Sequence, residues 1–509
     1  MKTKIPYVIF PLAIGLMMSF AFQPLGLWFL AVPALSIFPF FRAMPPVKRW
    51  FFGWLTGFFI QALGYTWIFI TIRDFGGLSG GISAIGAVLF WAYQGLDFAI
   101  WFCFSPMLFP KHDESSGKGG SLYLVGDAGF FFLVQSFLFP YVFPWAISAC
   151  LTESPFLPSA RFWSANGLTF LIMLVGLTLG EILRFGLKAR KVQFSALLLH
   201  VLAVVAMSAG LFMPRSSEDG ETVRVGVVQP NIIPWAKRER ASFKEVFDAH
   251  VKPTLSMKRQ HPDLVIWPET ALMITLKNYP AYITYLQDLS ETLDCGLMIG
   301  TLGKDQAGHT NEVWLFSHGK EPQICAKEKL VMFSESLPWP FFWARYLVPG
   351  IGGFHSGSRV EPFELNGVMI NPLICFEAIL PHYVAKRESH LLVNITNDAW
   401  FGKTKASALH LQHLQMRTVE NGIPLVRAAN SGISCWVTVS GEVIEPTGIF
   451  EKAVPVYDIP VPSKKSVPWW IWLEGFLLVL TFVIFVINRV KYYQSKKTNA
   501  THPSRVSSS

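Results

Sequence analysis

Asn371-Pro-Leu-Ile-Cys-Phe-Glu377 decides how this chain is read. A short apolar run delivers one cysteine, Cys375, to its end, and a carboxylate follows two residues later. That pattern is how a buried strand presents a nucleophile at a sharp turn. A thiol there attacks a carbonyl only if one neighbour removes its proton and another holds the oxyanion. Two further segments offer those groups. Val265-Ile-Trp-Pro-Glu-Thr270 is an apolar run ending at Glu269, and Ala326-Lys-Glu-Lys-Leu-Val331 places Lys327 and Lys329 before an apolar pair. A Glu, a Lys and a Cys at three strand ends form a catalytic constellation.

Composition says where such a site would sit. The chain has 509 residues, too many for one ordinary domain, with 51% hydrophobic and only 15% charged residues. Its mean hydropathy is +0.38, a value suited to a polytopic membrane protein rather than a soluble one. The net charge of +9 sits largely in short segments between apolar spans, which points away from nucleic acid and towards topology signals. The six cysteines form no CxxC and no zinc-type cluster. Their even number permits disulfides without arguing for them.

Apolar stretches run through 5–21, 26–41, 51–72, 82–109, 121–144, 165–183 and 194–212, and an eighth covers Trp469–Ile487. Most approach the ~20 residues needed to cross a bilayer core. The first reads as an uncleaved anchor, since no small-residue cleavage site follows it. Between the seventh and eighth, from Glu221 to Pro462, short β-rich runs alternate with charged helical stretches. Strands are predicted at Val223–Gln229, Leu264–Trp267, Leu297–Gly300, Val313–Phe316, Val368–Cys375 and Leu391–Ile395, and helices at 237–257, 280–294 and 406–421. The tail from Arg489 is basic and Ser-rich and reads as disordered.

Charge orients the whole. With a cytoplasmic N-terminus, one side receives Lys2, Lys4, Arg42, Lys48, Arg49, Lys111, Lys118, Arg184, Lys188, Arg190, Lys191 and Arg489. The opposite short loops hold little beyond Arg73 and Arg161. The asymmetry places residues 221–462 outside the cytoplasm. The expected organisation is a membrane domain over 1–220, an extracytoplasmic catalytic domain over 221–462, a closing span over 463–488 and a tail over 489–509.

The three motifs, in this order, resemble the nitrilase (carbon–nitrogen hydrolase) superfamily. The pattern Lys327-Glu-Lys-Leu-Val-Met-Phe-Ser-Glu335 selects Lys327 as the catalytic lysine and Glu335 as the second glutamate. A nitrilase-like domain between seven spans and one span resembles the apolipoprotein N-acyltransferase family. Trp267-Pro-Glu-Thr-Ala271, Asn394-Ile-Thr-Asn-Asp-Ala-Trp-Phe-Gly402 and the region Gln412–Gly432 match it as well. The resemblance implies a polytopic α-helical protein of about eight transmembrane helices, carrying an α/β, αββα sandwich, in a bacterial inner membrane with the catalytic domain in the periplasm.

It also implies roles. Glu269 would be the general base, Lys327 the oxyanion stabiliser with the backbone N–H of Phe376, Cys375 the nucleophile and Glu335 the residue that holds Lys327. Glu377 is a supporting acid, structural or functional. No metal or cofactor is implied. The donor would be a phospholipid, typically phosphatidylethanolamine, and the acceptor the α-amine of a diacylglyceryl-cysteine on an apolipoprotein, through a cysteine thioester. The alternatives are a membrane-tethered amidase with water as acceptor, and a catalytically silent scaffold. Departures from the family are Phe376 for a Tyr, Met332 and Ser334 for Pro and Gly, and Trp235 before Lys237 with Arg238 where a Trp is expected.

Other features carry plainer readings. His410 and His413 have helical i, i+3 spacing but no third ligand nearby, so they read as structural polar residues. Asp97 and Asp127 fall in apolar spans, where buried acids are costly and often functional. Trp339, Phe341, Phe342 and Trp343 are either folded back on the domain or an apolar lid that dips into the bilayer.

Overall fold

A computed structural model describes residues 7–110, 121–185, 190–212, 220–232, 243–306, 308–346, 351–358, 361–463 and 468–501. The chain up to 212 is helical. Gly80–Leu108, Leu157–Arg184 and Trp470–Gln494 are long and apolar enough to cross a membrane. Pro46–Gly64 and Trp67–Phe75 make a fourth if this pair, bent by 62°, is one span. Ile9–Ala21, Trp28–Phe41, Leu122–Leu138 and Phe194–Met207 are apolar but shorter. Each of these segments coincides with one of the eight apolar stretches. The 121–144 stretch stops at Leu138 because Pro140 disfavours helix at the residue before it.

Small residues let the helices meet. A Cβ on Gly57 would lie 2.4 Å from the carbonyl oxygen of Gly95, so the backbones of Pro46–Gly64 and Gly80–Leu108 touch there. The closing helix extends from Trp470 to Thr501, which corrects the expectation of disorder for 489–501; the rest of the tail lies outside the described residues. Tyr493 lies one turn beyond Arg489, and the guanidinium stacks over its ring at 5.4 Å.

The second half is built on two sheets. Its strands are β1 (Thr222–Val227), β2 (Leu264–Ile266), β3 (Leu272–Thr275), β4 (Gly296–Lys304), β5 (His309–Ser317), β6 (Lys320–Ala326), β7 (Phe363–Leu365), β8 (Val368–Ile374), β9 (Leu391–Thr396), β10 (Leu425–Ala429), β11 (Cys435–Val437), β12 (Val443–Ile444) and β13 (Val456–Pro460). One sheet runs β13-β1-β2-β4-β5-β6, with β3 beside β4, and the other β12-β11-β10-β9-β8-β7. β1, β2 and β4 are parallel, as are β8, β9 and β10. These strands are apolar on both faces because both faces are covered.

Alternation sorts the layers. Val225, Leu264, Met298 and Val313 meet Ile370, Ile374, Val393 and Val426 between the sheets. Leu297, Ile299 and Trp314 point the other way, under helices Phe243–Ser256 and Pro280–Leu293. Leu373, Leu392 and Leu425 lie under Leu411 and Leu414 of helix Ala406–Asn421. The result is a helix–sheet–sheet–helix sandwich. Its six sequence-predicted strands are present. β6 escapes sequence reading because Lys-Glu-Pro-Gln-Ile-Cys-Ala looks like a polar loop; it is an edge strand, turned back on β5 at Gly319. The helix predicted from 237 is described from Phe243 only, and Trp235, Lys237 and Arg238 lie outside the described residues.

The sandwich sits on one end of the helical part. Helix Ala406–Asn421 is buried along nearly its whole length. The Gln412 amide donates to Thr152 Oγ1 at 2.9 Å, Lys405 Nζ to the Leu63 carbonyl at 2.6 Å, and the Ala165 N–H to Glu420 Oε1 at 2.6 Å.

Backbone approach also limits β4. A Cβ on Gly300 would lie 2.4 Å from the Pro268 carbonyl oxygen and 2.8 Å from the Glu269 Cα. Gly300→Ala is expected to destabilise the protein by about 1–3 kcal/mol through overpacking. Thermal unfolding in detergent checks this; an unchanged midpoint counts against the close packing.

Candidate active site

Strand β8 ends at Ile374, and Cys375 follows with φ +52°. A positive φ on a residue with a Cβ is strained and persists only where surroundings enforce it. The enforcing groups come from β9 and the turn itself. The Asn394 amide donates to the carbonyls of Leu373 at 3.1 Å and Cys375 at 3.3 Å. Arg427 holds Asn394 Oδ1 at 2.8 Å, and Asp398 holds Arg427 at 2.6 Å. Burial acts to raise the Asp398 carboxyl, but Arg427 and His410 outweigh it and keep it well below the usual range. His410 therefore belongs to this buried network.

Glu269 follows β2 and is buried. Its Oε1 accepts from the Asn311 amide at 2.7 Å and lies 3.5 Å from Lys327 Nζ. Its Oε2 accepts the Asn397 N–H at 2.9 Å. Lys327, one residue past β6, is 1% exposed. Its Nζ donates to Glu335 Oε1 at 2.7 Å. Glu335 Oε2 in turn accepts the Val331 N–H at 2.9 Å. The loop closes without the expected Pro and Gly, with Phe333 itself taking φ +60°.

The charges act on one another. Burial alone would lower the Lys327 pKa, but Glu335 and Glu269 raise it above the ordinary value, so the ammonium is kept. Burial raises Glu269; Lys327 opposes this and Glu335 adds to it. Burial also pushes the Cys375 thiol up, and the negative charge of Glu269 pushes further, against the pull of Lys327. Cys375, half-buried, is thus close enough to both groups to feel them. Burial and the Glu269 charge both favour the protonated thiol.

Glu377 ties two loops together. Its Oε2 accepts the Ile374 N–H at 2.9 Å. Its Oε1 accepts the N–H groups of Glu328 at 2.7 Å and Lys329 at 3.1 Å, and the Tyr383 hydroxyl at 2.9 Å. The acid straps the lysine loop to the cysteine turn. Phe376 is buried, and its ring packs edge-on to Phe143 at 5.7 Å. Lys329 is exposed. Sequence reading assigned no role to Asn311, Asn394, Asn397 or Arg427. For one a signal was there: Asn394 interrupts the otherwise apolar run Leu391-Leu-Val-Asn-Ile395, which a buried amide does only with partners, whereas Asn311 stands among the polar residues that open β5.

No metal-ligating group of three or more His, Cys, Asp or Glu occurs among the described residues. Residues 224–468 match the family model for carbon-nitrogen hydrolases. Fold and match define a carbon–nitrogen hydrolase domain. Residues 14–178 match the apolipoprotein N-acyltransferase N-terminal domain. An apolipoprotein N-acyltransferase from Geobacter metallireducens is 31% identical over 437 residues, 80% of each chain. Another, from Pseudomonas syringae pv. tomato, is 25% identical over 503 residues, 93% of this chain and 94% of that one. A solved amidase from Nesterenkonia sp. overlaps with a TM-score of 0.37 at 18% identity, over 49% of this chain and 93% of that one. The chain belongs to the apolipoprotein N-acyltransferase family, and is an acyltransferase of lipoprotein N-acylation.

If Glu269 is the base, it must be ionised to take the thiol proton. Its raised pKa places the acid-side loss of kcat/KM above the ordinary carboxylate value of 4.5. Glu335→Gln removes a negative neighbour that raises Glu269, so that limb should move to lower pH. The same variant should lose up to about 10²-fold in kcat as Lys327 loses its closest partner. pH–rate profiles of both proteins decide this, and an unmoved limb speaks against Glu269 as the base.

Proposed function

We propose that Cys375 carries the acyl chain as a thioester between a phospholipid donor and a lipoprotein amine. The observation that carries this reading is Lys327, buried between Glu269 and Glu335, with its charge felt at the Cys375 thiol. Glu269 takes the thiol proton as sulfur attacks the sn-1 ester carbonyl. Lys327 and the Phe376 N–H stabilise the oxyanion. Collapse breaks the ester bond, and the leaving lysophospholipid hydroxyl takes the proton from Glu269. In the second half, the α-amine of a diacylglyceryl-cysteine attacks the thioester. Glu269 accepts its proton, an amide forms, and the sulfur leaves and is reprotonated. Phosphatidylethanolamine is the proposed donor.

The membrane reading follows. Eight spans are proposed, with membrane domain 1–220, catalytic domain 221–462 and closing span 463–488. The catalytic domain lies outside the cytoplasmic membrane of the bacterium, on the periplasmic face. What supports this is polarity. Gln23, Leu63, Thr152 and Ala165 contact the sandwich at one end. Arg42 bonds the Phe109 carbonyl, and Arg489 the Met107 carbonyl, at the other. A ~16-carbon chain, at ~0.8 kcal/mol per CH₂, rarely leaves a bilayer. The catalyst must therefore meet its substrates at the surface.

The aromatic segment after Glu335 fits that requirement. Trp339 and Tyr346 are 81% and 82% exposed, and Phe342 and Trp343 are exposed too. Phe341 is exposed as well, with one edge of its ring against Phe333 at 5.2 Å. This segment acts as an apolar lid, rooted beside the carboxylate that holds Lys327.

Intact mass spectrometry after exposure to phospholipid should show one acyl mass on the Cys375 peptide, removable by hydroxylamine and transferred to an amine-bearing lipopeptide. Cys375→Ala should abolish both adduct and transfer; retained transfer would rule out the nucleophile role. Replacing Trp339, Phe342 and Trp343 by Ser should lower the rate on bilayer lipid more than on a soluble ester. Equal losses on the two substrates would sink the lid.

A further inference from the structure

One turn of a membrane helix reaches four successive residues of a loop. In helix Gly80–Leu108, Tyr93 donates its hydroxyl to the Pro140 carbonyl at 2.7 Å. Gln94 donates to the Phe143 carbonyl at 2.8 Å and accepts the Val142 N–H at 3.0 Å. Asp97 accepts the Tyr141 hydroxyl at 2.7 Å. Gln94 and Asp97 are fully buried. Polar side chains at such depth are costly and mark function or tight structural demand. Gln94 uses donor and acceptor at once on the Val142 N–H and the Phe143 carbonyl, two peptide groups of one short segment, so it fixes the loop in position and in rotation.

What the loop presents is Phe143. Its ring packs against Phe376 at 5.7 Å, Trp67 at 5.5 Å and Tyr65 at 6.0 Å. Phe143 joins both the membrane core and the core outside the second sheet. Tyr65 is itself held by the same helix, through Trp91 Nε1 to its carbonyl at 3.0 Å. The base is rigid, since Gly95 lies in backbone contact with Gly57. Phe376 is the neighbour of Cys375, and its N–H is the proposed oxyanion donor. We infer that Gln94 is a positioning residue for acyl transfer: from within the membrane it clamps Phe143 against Phe376 and so seats the peptide group after the nucleophile.

The inference rests on Cys375 as nucleophile. It explains why the position taken by Tyr in the resembling family tolerates Phe here: the ring serves by packing, not by a hydroxyl. The titratable groups facing this turn are Tyr93 and Asp97 on the helix itself, Tyr141 on the loop and Tyr65 against Phe143.

The experiment uses full-length enzyme in detergent, with active sites counted by acyl adducts on Cys375. Gln94→Leu keeps an apolar helix but loses both bonds. Its kcat per counted site should fall about 10-fold to 10²-fold, as misplacement near 1 Å can do, with KM for phospholipid within about twofold. Phe143→Leu should show the same loss, and the double variant no further loss, because Gln94 acts through Phe143. Gln94→Glu restores both bonds only as the neutral acid, so its rate relative to wild type should fall as pH rises. Normal kcat per site in Gln94→Leu, fewer sites at normal kcat, or additive losses in the double variant would each overturn the clamp. Failure of the underlying reading shows separately, as wild-type enzyme with no acyl adduct on Cys375.

Discussion

Everything around the site answers to one buried ammonium. Lys327 is removed from water, and an unpaired charge there would cost several kcal/mol. Glu335 and Glu269 meet that cost from two sides, at 2.7 and 3.5 Å. Their own charges then need donors. Asn311 and the Asn397 N–H serve Glu269, and the Val331 N–H serves Glu335. Each donor comes from a different strand or loop. The charge can be kept only where both sheets converge, and the strained Cys375 stands at that place.

The same logic fixes the loops to each other. Glu377 accepts from both the lysine loop and the cysteine turn. Arg387 reinforces it, reaching Glu328 at 3.0 Å. A buried acid with four donors makes two loops move as one. The helical part adds a further constraint, since Phe143 and helix Ala406–Asn421 seat the sandwich on the end of the apolar helices. The geometry of the site and the packing of the helices are therefore not independent here.

The strand ends carrying Glu269 and Cys375 were legible because apolar runs stop abruptly at a single reactive side chain, whereas Lys327 was legible from the motif that it opens and not from β6. Six strands were readable from β-rich runs. The edge strands were not: β6 and β12 have too little two-residue alternation, and pairing alone makes them strands. The partners of the site were hidden for a different reason. Asn311, Asn394 and Arg427 are ordinary polar letters until folding aims them at a buried charge. Glu377 was legible as an acid beside the nucleophile, yet three of its four donors are backbone N–H groups that no sequence displays, and the fourth is the Tyr383 hydroxyl.

By itself the sequence determined the apolar stretches, an α/β domain between the last two of them and the order of the reactive residues, because burial periodicity and strand-end chemistry are local properties. Only the tertiary structure decided that Lys327 lies between two carboxylates, that Glu377 joins two loops, and that Gln94 reaches the neighbour of Cys375. Those are contacts across tens or hundreds of residues. They depend on where the chain returns in space, which local pattern does not encode.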